Sequence, residues 1–286
     1  MLHGFSAGSA YNYKMVPLLR DHFECIMIDT FGQANSGRPN IETTFFIGCE
    51  DTVDFFVEKI RQYTVACGHE FDKADYYLLG HSMGCIFGSN FAIRFPQRIK
   101  GLILLSPVGI AETPNQRPQE ELSCIEAVGK DFSDRTWQSM SINAIDMFRI
   151  FGYRMSRSSI RKDVITRVGG NTLYSGEQEV NDFTDYSLLL QVGPKSTENC
   201  AYKIMKPVVP PAYSFDPICR KASQFSMPVC FVYGEQDWVT CLTAQRLVES
   251  GRLKPGSRFK ITARSGHHLY MEAAPEICET ILAFKR

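Results

Sequence analysis

The sequence lacks an excess of charge of either sign. It contains 31 Lys plus Arg and 31 Asp plus Glu in 286 residues, so its formal net charge is zero. Broad nucleic-acid binding needs a basic surplus, and the balance therefore argues against a nucleic-acid partner while allowing a local basic patch. Also absent are an apolar run of about eighteen residues, which a membrane-spanning helix needs, and the basic-then-apolar N-terminus of a secretion signal. We therefore expect a cytoplasmic protein.

Clusters of metal-ligand residues are missing too. The ten cysteines are scattered through the chain, with no CxxC pair and no neighbouring group of histidines. Metal sites need ligands at short, repeated spacings, so no metal ion is expected. The simplest interpretation is a set of reduced thiols, because free cysteine is often buried in cytosolic proteins.

Strand-like and helix-like segments alternate through the first third of the chain. Short apolar runs predict strands at 23–29, 74–80 and 99–106. Helical periodicity predicts helices at 11–22, 50–68 and 83–95. Strand, helix and strand in this order indicate βαβ units and a parallel sheet with helices on both faces.

This alternation breaks after Pro107 and resumes near Met227. The intervening sequence is rich in proline loops, shows no clear strand, and predicts helices near 134–150, 156–168, 177–192 and 197–205. Beyond it we predict strands at 227–233 and 257–263 and helices at 240–250 and 274–284. The chain is therefore expected to form an α/β core from residues 1–111 and 225–286, with a helical lid inserted at 112–224.

Gly80-His81-Ser82-Met83-Gly84 is a G-x-S-x-G motif between a predicted strand and a predicted helix. That is the context of a nucleophile elbow, in which glycines allow a sharp turn that holds the serine hydroxyl at a helix N-terminus. The alternative is an ordinary structural turn. In the catalytic interpretation, Ser82 is the nucleophile.

A serine nucleophile needs a base and a carboxylate that orients the base. Chain order in this architecture is serine, acid, histidine. Asp237 follows the strand at 227–233, and Glu235 is the rival acid. His267 follows the last strand directly after a glycine and is the expected base, whereas His268 is expected to be a wall or surface residue.

The His3-Gly4-Phe5 segment suits a second catalytic element. Attack on a carbonyl places negative charge on its oxygen, which two backbone amides must stabilise. We expect these to be the amides of Met83 and Phe5, although a plain glycine turn is the alternative. The residues expected to contact substrate are His3, Gly4, His81 and Trp238.

The motifs and their order along the chain resemble the α/β-hydrolase superfamily over nearly the whole chain, and most closely the branch of abhydrolase-domain proteins four and five. The resemblance is carried by HGFSAG, DTFGQANSGRP, GHSMG, LLSPVGI, RTWQSM, VNDFTDYSLL, VYGEQDWV and SGHHLYMEAAPE. It implies an α/β-hydrolase fold, a mostly parallel sheet and a large helical lid. Two departures matter: the co-activator member of the branch has Asn where this chain has Ser82, and an Asp of the branch's acyltransferase motif is replaced by Glu272.

The resemblance implies a serine hydrolase that cleaves an acyl ester or amide of a lysophospholipid or N-acyl-phospholipid, without a cofactor. The alternatives are a lysophosphatidic acid acyltransferase that uses the same triad and a non-catalytic regulator of a lipase at a lipid surface. Aromatic and methionine side chains of the lid suit an acyl chain, or they are ordinary packing residues. They are Trp137, Met140, Met147, Phe148, Phe151, Tyr153 and Met155.

Only Met1 and Leu2 precede His3, whereas the fold that the chain resembles has two to three strands before this loop. These N-terminal strands are apparently missing. Their loss should leave two unpaired inner strand edges. We therefore expect either a fragment or a sheet that closes in a different way.

Lid residues 149–167 concentrate positive charge. Six basic residues oppose a single acid, Asp163, which gives this segment a net charge of +5 in a neutral chain. Aromatic residues lie at its start, and this mixture is typical of a boundary with lipid headgroups. We expect peripheral association with an anionic membrane or a lipid droplet, the alternative being a solvated helix paired with acidic neighbours.

Overall fold

Parallel strands form the centre of the computed structural model, which describes residues 1–39, 48–66, 74–111, 144–205, 214–239 and 242–285. Within these ranges one four-stranded sheet has the order β1-β2-β3-β4. Each strand pairs with its neighbour in parallel. The strands are Tyr76–His81 (β1), Ile99–Leu105 (β2), Val229–Gly234 (β3) and Arg258–Thr262 (β4).

Alternate side chains of these strands pack on opposite faces of the sheet. In β2, Leu102 and Leu104 contribute to one buried cluster, whereas Ile103 and Leu105 contribute to the other. Because both faces are covered, the strands are continuous apolar runs rather than alternating ones. This two-sided burial confirms the predicted parallel sheet with helices on both faces.

Helices cover both faces of the sheet. Two of them, Cys49–Ala66 (α2) and Met83–Arg94 (α3), contribute to the first cluster, and the C-terminal helix Ala274–Lys285 (α9) contributes to the second. Among the described residues, the other α-helices are Val16–Leu19 (α1), Ala144–Ile165 (α4), Glu177–Val192 (α5), Cys200–Ile204 (α6), Leu242–Glu249 (α7) and Leu269–Glu272 (α8).

Two predicted elements near the N-terminus are wrong. The helix predicted at 11–22 is a short 3-10 turn, Ser9–Asn12, followed by the single turn of α1. Pro17 lies in the first turn of α1, because proline begins a helix readily but breaks its interior. The strand predicted at 23–29 is reduced to one bridge at Ile28.

Leu2 occupies the position between Ile28 and β1. It bridges both Ile28 and Gly80 in parallel, and its amide donates to the carbonyl of Leu79 at 2.8 Å. A cavity of about 830 Å³ extends from Met1 between residues 23–28 and β1.

Helices α4, α5 and α6 lie in the described part of the predicted lid, residues 112–224. Helix α4 runs through Gly152, whose φ of 76° interrupts its helical geometry. The break at Gly152 therefore divides α4 into two helical segments, in agreement with the separate helices predicted at 134–150 and 156–168. Residues 134–143 lie outside the described residues. Helix α5 coincides with its prediction at 177–192. In the described ranges, every helix is too short or too polar to cross a bilayer.

Candidate active site

Ser82 lies on a sharp turn between β1 and α3. Its φ of 51° and ψ of −119° are unfavourable for a residue with a side chain. The turn needs glycines on both sides. A Cβ at Gly80 would come within 2.8 Å of the Gly84 carbonyl oxygen, and one at Gly84 within 2.5 Å of the His3 carbonyl oxygen. The motif therefore forms the strained strand–turn–helix of a nucleophile elbow.

Ser82, His267 and Asp237 form a hydrogen-bonded row. The Ser82 Oγ is 3.0 Å from the His267 Nε2, and the His267 Nδ1 is 3.0 Å from the Asp237 Oδ1. The tautomer with its proton on Nδ1 makes both bonds, since Nδ1 then donates to the carboxylate while Nε2 accepts from the hydroxyl. Asp237 also accepts from the amide of Val239 at 3.1 Å. This arrangement can remove a proton from Ser82 and stabilise the resulting imidazolium.

The two rival residues lie elsewhere. Glu235 is exposed, and its carboxylate accepts from the amide of Arg264 at 3.0 Å. The His268 Nδ1 is 2.8 Å from the hydroxyl of Tyr270. The structure thus brings Asp237 and His267 to the serine, rather than Glu235 or His268.

The His3-Gly4-Phe5 loop packs directly against the elbow. A Cβ at Gly4 would lie 2.9 Å from the Cβ of Ser82. His3 is buried, and it holds the loop because its Nδ1 donates to the carbonyl of Gly4 at 2.7 Å while its Nε2 accepts from the amide of Thr30 at 3.0 Å. Burial lowers the pKa of His3. Phe5 is half-buried beside this loop, and Met83 is the first residue of α3.

The other residues expected at the site have different surroundings. Trp238 is 38% exposed, with its ring centroid 4.8 Å from that of His267, so it lies at the mouth of the site. His81 is only 3% exposed and lies beneath His267, with a centroid distance of 4.9 Å. Its Nε2 donates to the carbonyl of His267 at 2.8 Å.

Two residues near the site were not predicted to belong to it. The Glu272 carboxylate accepts from the amide of Gly266 at 2.6 Å, and the sequence marked Glu272 only as a departure from a family motif. The Arg167 guanidinium is buried over the rings of Tyr11 and Phe183 at 5.5 and 5.2 Å. No sequence signal distinguishes Arg167 from the other basic residues of the lid.

Acidic neighbours pair with most of the basic residues in segment 149–167. Arg157 contacts Asp185 and Arg161 contacts Glu177, each at 2.6 Å, across the α4–α5 interface. Arg149 and Arg167 also form ion pairs, with acids at Asp146, Glu198 and Asp163. Arg154 and Lys162 make no ion pair with the described residues. The net charge of +5 is therefore largely compensated in the folded lid.

Within the described ranges, no group of three or more His, Cys, Asp or Glu side chains is arranged to hold a metal ion.

Comparison with known proteins agrees with the observed architecture. The family model for the alpha/beta hydrolase fold matches residues 1–137. A solved structure described as a membrane phospholipase A superimposes with a TM-score of 0.64 at 15% identity, covering 99% of this chain and 76% of the other. At that identity, the match shows the fold alone.

Curated relatives extend the similarity over most of the chain. A protein of Oryza sativa subsp. japonica named "Probable 1-acylglycerol-3-phosphate O-acyltransferase" is 25% identical over 86% of this chain. The chain spans 57% of the length of that relative. A Sus scrofa protein named 1-acylglycerol-3-phosphate O-acyltransferase ABHD5 is 26% identical over 98% of this chain and 77% of its own length. These matches confirm the resemblance identified from the motifs.

Proposed function

Because this chain has the α/β-hydrolase fold, we propose that it is a serine hydrolase that cleaves an acyl ester or amide of a lipid. The observation that carries the proposal is the row of hydrogen bonds from Ser82 through His267 to Asp237, at 3.0 Å each. The row lies at the C-terminal end of the parallel strands, where α/β sheets bind their ligands.

In the proposed reaction, Ser82 Oγ attacks the acyl carbonyl as its proton passes to the His267 Nε2. Asp237 stabilises the imidazolium. The tetrahedral intermediate collapses, the bond to the leaving group breaks, and His267 gives its proton to that group. Water then attacks the acyl-enzyme with His267 as base, which releases the fatty acid and restores the Ser82 hydroxyl.

The carbonyl oxygen gains a negative charge during both attacks. We assign its stabilisation to the amides of Met83 and Phe5. The close contact between Gly4 and Ser82 supports this role, since it leaves the two loops side by side. His3 contributes to this loop by its hydrogen bond to the Gly4 carbonyl, and its buried ring does not extend into the space for substrate.

A lipid substrate is supported by the relatives and by the lid. The relatives carry names of enzymes that act on 1-acylglycerol-3-phosphate. The lid exposes large apolar side chains on both helices of its α4–α5 pair. They are Ile150, Phe151, Tyr153, Met155 and Leu189. We propose that these side chains, with Arg154, meet a lipid surface, and that the protein is cytoplasmic and peripheral there.

Acyl transfer is the second candidate, and the names of the relatives favour it. Hydrolysis and transfer share the acyl-enzyme and differ in the nucleophile that reaches it. If a lysolipid hydroxyl attacks in place of water, the acyl chain moves to the lysolipid instead of being released as fatty acid. Measuring free fatty acid and acylated product together, with and without 1-acylglycerol-3-phosphate, separates the two reactions.

The nucleophile is tested with a fluorophosphonate probe, which labels activated serines. Wild-type protein should be labelled, and Ser82→Ala should lose both labelling and about 10⁴-fold or more of kcat on a lipid ester. Ser89→Ala is the matched control, because Ser89 is buried in the same helix and lies one to two turns from the site. Labelling of Ser82→Ala at the wild-type rate would refute the proposal.

A further inference from the structure

His267 lies on a short loop whose backbone is held on both sides. Before it, the Gly266 amide donates to Oε2 of Glu272 at 2.6 Å. After its Cα, the His267 carbonyl accepts from Nε2 of His81 at 2.8 Å. The two peptide groups that flank His267 are therefore each attached to a different side chain.

His81 connects the three segments that form the site. It directly precedes Ser82 in the elbow, and its Nε2 reaches the loop of His267. On its other side, a Cβ at Gly4 would lie only 3.0 Å from Nδ1 of His81. The ring of Tyr270 packs edge-on against it, with centroids 4.5 Å apart. A shift of this buried ring would move the nucleophile, base and oxyanion segments together.

Glu272 holds the loop of His267 from the other side, where helix α8 begins. It ends α8, whose first turn is closed by the amides of Met271 and Glu272 donating to the His268 carbonyl at 2.8 and 3.1 Å. The carboxylate then reaches back to Gly266, so that the loop and the helix form one closed unit. At Gly266 there is little space, because a Cβ would lie 3.1 Å from Cγ2 of Val168 in the lid.

We propose that His81 and Glu272 are positioning residues, which fix the loop of His267 so that its Nε2 faces Ser82. The inference rests on the serine-hydrolase function proposed above. It gives His81 a role in assembling the site rather than in contacting substrate. It gives Glu272 a role in hydrolysis and acyl transfer alike, since both reactions need His267 in the same place.

The protonation state that this geometry requires of His81 agrees with its surroundings. Burial and the neighbouring His267 hold the pKa of His81 well below its usual range, so the ring is neutral with its proton on the donating Nε2. Burial raises the pKa of Glu272, although the hydrogen bond from Gly266 opposes that rise. An oxygen of Glu272 can accept from the Gly266 amide whether the carboxyl group is ionised or protonated.

The test compares two variants at each position, one with a side chain long enough to keep the hydrogen bond and one with a side chain that is too short. His81→Gln can place an amide donor near the position of Nε2, whereas the side chain of His81→Asn is too short. Glu272→Gln keeps an acceptor at the right distance, whereas Glu272→Asp keeps the charge but shortens the side chain. Fluorophosphonate labelling rates, kcat and KM for a lipid ester, and thermal unfolding are measured for all four and for wild type.

We expect His81→Asn and Glu272→Asp to lower the labelling rate and kcat by about 10- to 100-fold with little change in KM, because small misplacements of a catalytic group cost this much. The two Gln variants should stay near wild type. If His81→Asn does not fold, the Glu272 pair decides. Equal rates within both pairs would overturn the proposal.

A second readout needs no turnover. The proton between His267 Nδ1 and Asp237 should give a low-field NMR resonance in wild type and in the Gln variants, and a weakened or shifted one in His81→Asn and Glu272→Asp. An unchanged resonance in the short variants would argue against positioning, even if their activity fell. If wild type is not labelled at all, the serine-hydrolase function is contradicted, whereas the NMR resonance still tests whether His81 and Glu272 position His267.

Discussion

Three histidines other than His267 lie in the elements that form the site, and none takes part in the proposed proton transfer. His3, His81 and His268 are at least partly buried, and burial is the largest cause of the lowered pKa of each. For His268, the charge of Arg167 adds to the effect. The site therefore keeps its neighbouring imidazoles neutral, which avoids repulsion when His267 becomes an imidazolium.

These depressed pKa values predict sensitivity to acid. Below pH of about 6.5 the unfolded chain binds protons that the folded protein does not, so the free energy of unfolding should fall as pH falls. Each such histidine contributes a slope of about 1.4 kcal/mol per pH unit over its window. This is checked by measuring the free energy of unfolding in urea for wild type and His268→Gln, from about pH 7.5 to about pH 5.

His268→Gln should show a shallower dependence on pH than wild type, whatever its stability at neutral pH. The comparison concerns the slopes, because the substitution also alters the hydrogen bond to Tyr270. Parallel curves for the two proteins would contradict the prediction.

The identity of the acid can be tested at the same scale. Asp237→Asn should lower kcat by about 10⁴-fold, because an amide favours the wrong tautomer of His267. Glu235→Gln is the matched control from the same loop, and it should leave kcat unchanged since Glu235 contacts the amide of Arg264. A large loss in Glu235→Gln with normal activity in Asp237→Asn would reverse the assignment.

At the scale of elements, helix α3 approaches the N-terminal loop at one glycine and not at another. A Cβ at Gly84 would meet the carbonyl oxygens of His3 and Leu2 at 2.5 and 2.6 Å. One turn later, the nearest atom to a Cβ at Gly88 would be Cδ1 of Leu2, at 3.6 Å. Close approach of helix and backbone therefore depends on Gly84, whereas Gly88 leaves ordinary contact distances.

Alanine at these two positions should have opposite effects. Gly84→Ala should lower the free energy of unfolding by about 1–3 kcal/mol, because backbone atoms must shift to admit the methyl group. Gly88→Ala should raise it by about 0.5–1 kcal/mol, since alanine favours the helix interior. Urea unfolding measures both. Similar changes in the two variants would show that the spacing at Gly84 is not limiting.

At the scale of the whole molecule, the described part of the predicted lid has few unpaired cations and several exposed apolar groups. Arg157 and Arg161 are engaged by acids of α5, whereas Ile150, Tyr153 and Met155 are each at least 60% exposed. The affinity of the protein for a lipid surface should therefore come mainly from apolar contacts, although the net charge of the segment would suggest electrostatic binding. Each unpaired cation near an anionic surface should add about 1 kcal/mol.

Vesicle co-sedimentation tests this view of the lid. With phosphatidylcholine vesicles containing phosphatidic acid, Phe151→Ser combined with Tyr153→Ser should bind more weakly than wild type. Arg154→Gln should weaken binding about fivefold at low salt and less at high salt. Arg161→Gln is the control, because Arg161 is already paired with Glu177. Equal binding by all four proteins would refute a role for this surface.

Much of the molecule follows from local patterns in the sequence. Apolar runs at 74–80, 99–106 and 227–233 predict the central strands, because a strand buried on both faces needs no polar alternation. The G-x-S-x-G motif predicts the elbow at Ser82 from the same local information, since its glycines meet atoms only four or five residues away or on the adjoining loop. Helix α5 coincides with its predicted range, and helical spacing recurs in its buried residues Val180, Phe183, Thr184, Ser187 and Leu188.

Other features were decided only by tertiary contacts. The apolar run at 23–29 has strand character, but its contacts there are one bridge to Leu2 and backbone hydrogen bonds to Met1. Asp237 and Glu235 are two residues apart in one loop, and only the packing of that loop against residue 265 places one carboxylate on His267. The burial of His81, the reach of Glu272 and the pairing of the lid arginines depend likewise on partners that are distant in the chain. Their distances are set when the sheet, the loops and the lid pack together, which no local pattern encodes.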